Sequence, residues 1–236
     1  MPRQLPYFYT RDQEQALMKQ LQSHREHHMI ADLLFGTGMR VSELVGNMPR
    51  RCIFCRSYHK PKWRKRSEPR PPPAICQQTR NVTQRNAKCD AWQPRYVGVS
   101  VEDIDWSQGT IRVLGKGSKE RLVVMDQARL DRLKKYIRDR RIRSGKIFDI
   151  TPRQVQRFFK KAAAEAGLPL DRNGRWSPHK ARHTLLTRMI EEGGEDALVA
   201  AKEQAGHQSL QTTIQYLHVS TGYRRRMLER VAQNQP

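Results

Sequence analysis

Ser177-Pro-His-Lys-Ala-Arg-His183 sets an imidazole, His179, three residues before a guanidinium, Arg182, just inside a Ser-Pro helix start. On a helix that spacing puts both side chains on one face near its positive end. Such a face suits a phosphate, because the guanidinium offers a planar fork of donors and the imidazole adds a donor or a proton carrier. Alone, the same spacing is equally that of a surface or core pair. Gly206-His207 follows, and Tyr216 stands nine residues after His207. A tyrosine is ordinarily core or interface with a hydrogen-bonded hydroxyl. Arg40, after Gly36-Thr-Gly38, and Lys116, inside Gly115-Lys-Gly117, would each pass singly for a solvated cation.

The elements that must position these groups can be read from periodicity. Thr10 and Gln13 have capping-box spacing, and Ala16, Leu17 and Leu21 continue as an apolar stripe. A second helix carries Met29, Ile30, Leu33 and Leu34 and ends at Gly36-Thr-Gly38, where glycines accept positive φ. Arg40-Val-Ser-Glu-Leu44 opens another helical turn. From Val97 onward, Val99, Val101 and Ile104 alternate as in a short strand. Thr110–Leu114 and Arg121–Met125 form two more, joined by a glycine-bearing turn that signals a hairpin.

After Asp126 the chain reads as helix. Leu130, Leu133, Tyr136 and Ile137 share one face, and Thr151-Pro152 starts a helix whose core face is Val155, Phe158, Phe159 and Ala162. Ser177-Pro178 starts a third, with Leu185, Leu186, Met189 and Ile190 before Gly193-Gly194, and shorter helices complete the chain. The expected class is mainly α with a small three-stranded antiparallel β-sheet (α+β).

Lys and Arg number 45 against 23 Asp and Glu, a formal charge of +22 over 236 residues. A cationic field of that size favours polyanions, nucleic acid first; a packing protein of ribosomal or chromatin type would also account for it. No stretch approaches the roughly 20 apolar residues of a spanning helix, and the N-terminus has no signal-peptide core. The expected location is the cytoplasm, at the nucleoid, with no membrane partner.

Taken together, the scattered residues resemble the catalytic domain of the tyrosine recombinases, the phage integrase family. The resemblance lies in Gly-Thr-Gly-Met-Arg40-Val-Ser-Glu-Leu, Ile-Arg-Val-Leu-Gly-Lys116-Gly-Ser-Lys-Glu-Arg-Leu and Ser-Pro-His179-Lys-Ala-Arg182-His-Thr. It continues in Ala-Gly-His207-Gln-Ser and Thr-Thr-Ile-Gln-Tyr216-Leu-His-Val-Ser, and it spans about residues 5–231 apart from 49–96. Two positions depart from the usual pattern, Ala181 before the second arginine and Ala205 before Gly206, where larger aliphatics are common. Neither removes a catalytic group.

The resemblance implies a role for each matched position. Tyr216 would attack a DNA phosphate, leaving a 3′-phosphotyrosyl link and a free 5′-hydroxyl, so that the bond energy is kept and no catalytic cofactor is needed. Arg40 and Arg182 would clamp the non-bridging oxygens. Lys116 would protonate the leaving oxygen, with Lys119 the rival for that role; His179 would assist proton transfer at the tyrosine and His207 would bond the phosphate. Glu43 and His183 match positions that would orient the arginine and the helix. The implied activity is site-specific recombination of double-stranded DNA through a Holliday junction: integration, excision, inversion or resolution. The alternatives are a type IB-like topoisomerase or telomere resolvase, or a non-catalytic DNA-binding regulator on the same scaffold. The family also implies a homotetramer on DNA, docked through a C-terminal helix; here Met227, Leu228 and Val231 form an apolar stripe beside Arg224, Arg225 and Arg226. Packing on its own domain is equally consistent with that stripe.

The expected organisation is one catalytic domain over residues 1–236, interrupted by a basic insertion at 49–96. The match begins almost at Met1, so the N-terminal clamping domain many members carry is not expected within these residues; either this is a natural single-domain recombinase or it is one piece of a longer polypeptide. DNA affinity should then lean more on cationic side chains. The insertion is proline-rich and poor in aliphatics, with no clear periodicity, and it holds all four cysteines. Cys52-x₂-Cys55 has zinc-knuckle spacing that Cys76 and Cys89 could complete, with His59 as a substitute ligand. Cys76 and Cys89 lie farther apart than a standard ribbon allows, so free thiols or a disulfide remain open. Arg50, Arg51, Arg56, Lys60, Lys62, Arg64, Lys65 and Arg66 surround the first pair. With Lys119 and Lys180 they are the candidate DNA-phosphate contacts, the alternative for the loop being a solvated surface or a subunit contact. Metal analysis of protein purified under reducing conditions should find about one zinc per chain; four readily titrated thiols in the native, metal-free protein would exclude the zinc reading.

Overall fold

Thr10 starts the first helix by the reciprocal bonds its spacing suggests: its Oγ accepts from the Gln13 amide at 3.2 Å while its own amide donates to Gln13 Oε1 at 3.1 Å. The helix, α1 (Arg11–Leu21), buries Leu17 and Leu21. In the computed structural model the described residues are 8–46, 58–59, 75–76, 98–114, 120–169, 176–219 and 221–233; at 58, 59, 75, 76, 218, 219 and 221 only the backbone is described.

Among the described residues the chain continues through α2 (Arg25–Thr37), α3 (Val41–Val45), β1 (Tyr58–His59), β2 (Ile75–Cys76), β3 (Ile104–Asp105), β4 (Thr110–Leu114) and β5 (Glu120–Val124). It then runs through α4 (Gln127–Asp139), α5 (Pro152–Glu165), α6 (Pro178–Gly193), α7 (Ala197–Ala205), α8 (Leu210–Val219) and α9 (Thr221–Gln233). No helix among them is long and apolar enough to cross a membrane. Strands β3, β4 and β5 form an antiparallel sheet in that order, with Ile111 opposite both Ile104 and Val123. Ile111 and Val123 point inward and are fully buried, which fixes the register because a one-residue slip would turn both to solvent.

Two departures from the sequence expectation have local causes. The segment expected to be a strand from Val99 begins instead with a 3-10 turn, Val101–Asp103, because the Ser100 amide donates to Asp103 Oδ2 at 3.0 Å. Such a side-chain cap competes with strand pairing. Within the insertion, where no periodicity signalled structure, β1 and β2 pair antiparallel with Tyr58 opposite Cys76.

Helix α6 lies between two apolar clusters. It packs on α2 on one side and on α7 and α8 on the other. The larger cluster runs from Tyr9 and Leu17 through α2, the sheet, α4 and α5 to Trp176 and Ala181. The smaller one joins Leu186 and Ile190 to Ala201, Ala205 and Tyr216. Thr184, in the middle of α6, accepts from the Tyr9 amide at 2.8 Å and so anchors the lead into α1. Arg188, one turn on, bonds Glu14 of α1.

Helix α4 is held to α2 by charge as well as packing. Asp32 is buried on α2 and accepts from Arg132 Nε at 2.8 Å and Nη2 at 3.0 Å, while Arg129 Nε reaches its carboxylate at 3.0 Å. Asp32→Ala should lower stability by about 2 kcal/mol, less than for a fully buried pair because the freed Arg132 can turn to solvent. The shift in urea midpoint checks this.

Candidate active site

The side chain at the centre of the site is buried arginine. Arg182 stands on α6 at 2 % exposure, and its guanidinium needs acceptors because an unpaired buried cation is costly. It donates to the carbonyl of Gly38 at 2.6 Å and to that of Ala205, which close the C-terminal ends of α2 and α7. Helix C-termini carry partial negative charge, so both ends are suited to a cation. Gly38 takes φ +64°, and a Cβ there would lie 3.1 Å from Leu185 of α6; the turn must be open in backbone and in bulk for the arginine to reach it. Burial, then the nearby Arg40, lower the Arg182 pKa to about 10.

Arg40 follows directly on that turn and caps α3. Its amide donates to Glu43 Oε2 and its Nη1 to Glu43 Oε1, each at 2.7 Å, while a third of the side chain stays exposed. Glu43 is buried and also takes Arg121 of β5, Nη1 at 3.1 Å and Nη2 at 2.9 Å. Burial alone would raise the Glu43 pKa; the Arg121 hydrogen bonds and charge, then the Arg40 amide and charge, outweigh it and hold the carboxyl below its ordinary value. Glu43 is therefore an anion between two cations.

Across from this pair stand three imidazoles and the phenol. His183 Nδ1 lies 2.7 Å from the Tyr216 hydroxyl. The His179 ring meets His183 edge-on at 4.5 Å, and His207 stacks parallel to the Tyr216 ring at 6.3 Å. His207 is held by Thr213, one turn before Tyr216 on α8, with Nδ1 2.9 Å from Oγ1. Tyr216 is 1 % exposed; desolvation pushes its pKa up to about 12, and Arg182 and Arg40 are close enough to pull it part of the way back. Desolvation and the surrounding positive charges push His183 down to about 3 and His207 to about 4. His179 keeps an exposed edge, yet desolvation by the protein around it, then Arg182 and Arg40, lower its pKa as well. At neutral pH the imidazoles are neutral and the phenol is protonated.

Arg40, His179, Arg182, His207 and Tyr216 thus converge on one cleft, joined by Glu43 and His183. The imidazole on the phenol is His183 rather than His179. Lys116 and Lys119 lie outside the described residues, as do Arg50, Arg51, Arg56, Lys60, Lys62, Arg64, Lys65, Arg66, Cys52, Cys55 and Cys89; of Cys76 only the backbone is described. Among the described residues no group of three or more His, Cys, Asp or Glu is placed to hold a metal ion. Lys180, a candidate DNA contact from its sequence position, is buried with its ammonium 4.8 Å over the Trp176 ring, so in this state it is committed to packing.

Two contributors were not singled out from the sequence. Arg121 occupies an inward-facing position of β5, in register with buried Val123, and a charged residue in that register was the available signal. Gln204 ties α7 to the sheet and to α2, donating to the carbonyls of Val124 at 2.9 Å and Thr37 at 3.1 Å. Nothing in its spacing distinguished it from other polar helix residues.

A sequence profile of the phage integrase family matches residues 96–222, more than half of the chain and all the described cleft residues except Arg40 and Glu43. The chain belongs to the phage integrase family. Among similar proteins, the tyrosine recombinase XerC of Corynebacterium efficiens is 36 % identical over 149 residues, covering 59 % of this chain and 44 % of that protein. The chain therefore spans under half the length of the relative it matches. The crystal structure of the XerA recombinase superposes with a TM-score of 0.60 at 19 % identity, covering 100 % of this chain and 67 % of that one. That of the XerH site-specific recombinase bound to palindromic difH substrate, a post-cleavage complex, gives 0.60 at 17 % identity, covering 98 % and 54 %. At such identities these likenesses establish the fold: mainly helical with a small antiparallel sheet, as in the catalytic domains of the family.

The depressed imidazoles make an acid-sensitivity prediction. His183 binds a proton near 6.5 in the unfolded chain but only near 3 when folded, and His207 near 4. The stability these neutral rings contribute is present above about pH 6.5 and is lost as pH falls toward those folded values, because the unfolded state then binds more protons. Unfolding free energy from urea titrations should decline across that window, and less steeply in His183→Gln; equal slopes would place the acid sensitivity elsewhere.

Proposed function

We propose that this chain breaks and rejoins double-stranded DNA by site-specific recombination, with Tyr216 as the nucleophile and a 3′-phosphotyrosyl intermediate. The observation that carries this reading is the convergence of two guanidiniums, three imidazoles and one phenol on a single cleft, on a chain of this family. Arg40 and Arg182 are the candidate clamp for the non-bridging oxygens, where charge builds in the transition state. His183 Nδ1, at 2.7 Å, is close enough to take the phenol proton. A phenol near 12 and an imidazole near 3 are badly matched for that transfer. Burial is the main cause of the low imidazole basicity and the neighbouring cations add to it; an incoming phosphodiester would offset the cationic part, raising that basicity once substrate is bound. His179 and His207 serve as donors to the phosphate, and Lys116 as the acid for the leaving 5′-oxygen.

The partner is DNA, which the charge of +22 favours and which the XerH complex supports by analogy. Assembly as a tetramer on DNA through α9 is supported by its exposed apolar residues, Met227 at 41 %, Leu228 at 71 % and Val231 at 55 %. The insertion at 49–96, with a structural zinc on Cys52, Cys55, Cys76 and Cys89, adds phosphate contacts through its lysines and arginines. The site of action is the nucleoid.

A nicked duplex carrying a target site, which loses the short fragment after cleavage, should trap a covalent adduct that peptide mapping assigns to Tyr216. Tyr216→Phe should form none while still binding the duplex; adducts persisting in that variant would show that another residue is the nucleophile.

A further inference from the structure

Glu43 is a buried carboxylate shared by two arginines of different exposure. Its side chain is fully covered, Arg121 keeps 13 % of its side-chain surface and Arg40 keeps 32 %. The two guanidiniums divide the work. Arg121 takes both carboxylate oxygens through Nη1 and Nη2, a fork-on-fork arrangement, while Arg40 uses Nη1 on one oxygen only. Were Arg40 the sole partner of Glu43, the pair would be electrically neutral and would have little pull on an anion. With Arg121 added, the trio carries one net positive charge, and Arg40 is the member that faces solvent.

The anchoring of Arg121 fits such a role. Its Nε approaches the carbonyl of Gln204 at 3.4 Å, and its side chain runs under Gly206, where a Cβ would come within 2.7 Å of Arg121 Cδ. Gly206 also takes φ +64°, so a side chain at that position is disfavoured both by backbone and by Arg121. His207 follows immediately. Arg121 therefore lies against the turn that presents His207 while it holds the carboxylate that orients Arg40.

We propose that Arg121 is a positioning residue for phosphoryl transfer: by compensating the Glu43 carboxylate it leaves the charge of Arg40 available to, and aimed at, the scissile phosphate. It does not itself touch the reacting atoms. The inference rests on the strand-transfer reading above.

The test compares wild type, Arg121→Lys, Arg121→Ala and the double variant Arg121→Ala/Glu43→Gln in single-turnover adduct formation on the nicked duplex, with duplex affinity and thermal melting measured alongside. Arg121→Ala should slow adduct formation by roughly 30-fold or more while changing duplex affinity less than about threefold, and Arg121→Lys should fall between. Adding Glu43→Gln to Arg121→Ala should restore the rate by roughly fivefold, because the uncompensated carboxylate beside Arg40 is gone. A merely structural role predicts the opposite, a double variant at least as impaired as the single. Should Arg121→Ala fail to fold, Arg121→Lys with and without Glu43→Gln gives the same comparison. Wild-type adduct formation with an unimpaired Arg121→Ala, or a double variant no faster than its parent, would overturn the positioning role alone. Absence of adduct from wild type would instead sink the strand-transfer reading and the role with it.

Discussion

A guanidinium sealed from solvent has to be matched by acceptors, and Arg182 finds them where two helices end. Its bonds to the carbonyls of Gly38 and Ala205 bring the C-terminus of α2 and that of α7 to one point on α6. Around that point the other groups are fixed by short chain connections. Arg40 begins two residues after Gly38, and His207 two residues after Ala205. The larger and smaller apolar clusters meet along α6 as well, so the same helix that supplies Arg182 also decides how the two halves of the cleft face each other. If Arg182 lost either acceptor, the cleft would lose the reference that sets the others.

Positive charge dominates the cleft. Burial first, and the neighbouring cations after it, keep the imidazoles neutral, and burial keeps the phenol protonated. The cleft therefore favours an anion, and the Tyr216 phenol and the His183 imidazole beside it are far apart in basicity. Those two properties are complementary. On the proposed reading, an arriving phosphodiester would offset the mutual repulsion of the cations and, with it, the part of the histidine shift that they cause. Tyr216 is covered, at 1 % exposure, so the proposed attack on a phosphorus atom would require α8 to adjust.

Much of the architecture was legible in the chain itself because its signals are local. The Thr10 and Thr151 caps, the Pro152 and Pro178 helix starts, and the faces of α4 and α5 each involve residues within a few positions of one another. The hairpin of β4 and β5 was visible for the same reason. The 3-10 turn at Val101–Asp103 was not, since apolar alternation at Val99, Val101 and Ile104 outweighed an Asp cap whose strength depends on geometry. The pairing of β1 with β2 joins segments with no periodicity of their own.

For the site the division follows sequence separation. The identities of the chemical groups, Arg40, His179, Arg182, His207 and Tyr216, could be read in order along the chain, as could the excess of positive charge. Which imidazole meets the phenol, which carbonyls accept from Arg182 and which cation neutralises Glu43 could not. Each of those contacts spans from 23 to 144 residues, and its existence depends on how α6, α7 and the sheet pack. Side-chain type is written residue by residue; partnership between distant side chains is settled only when burial forces each polar group to find whatever acceptor the fold brings within reach.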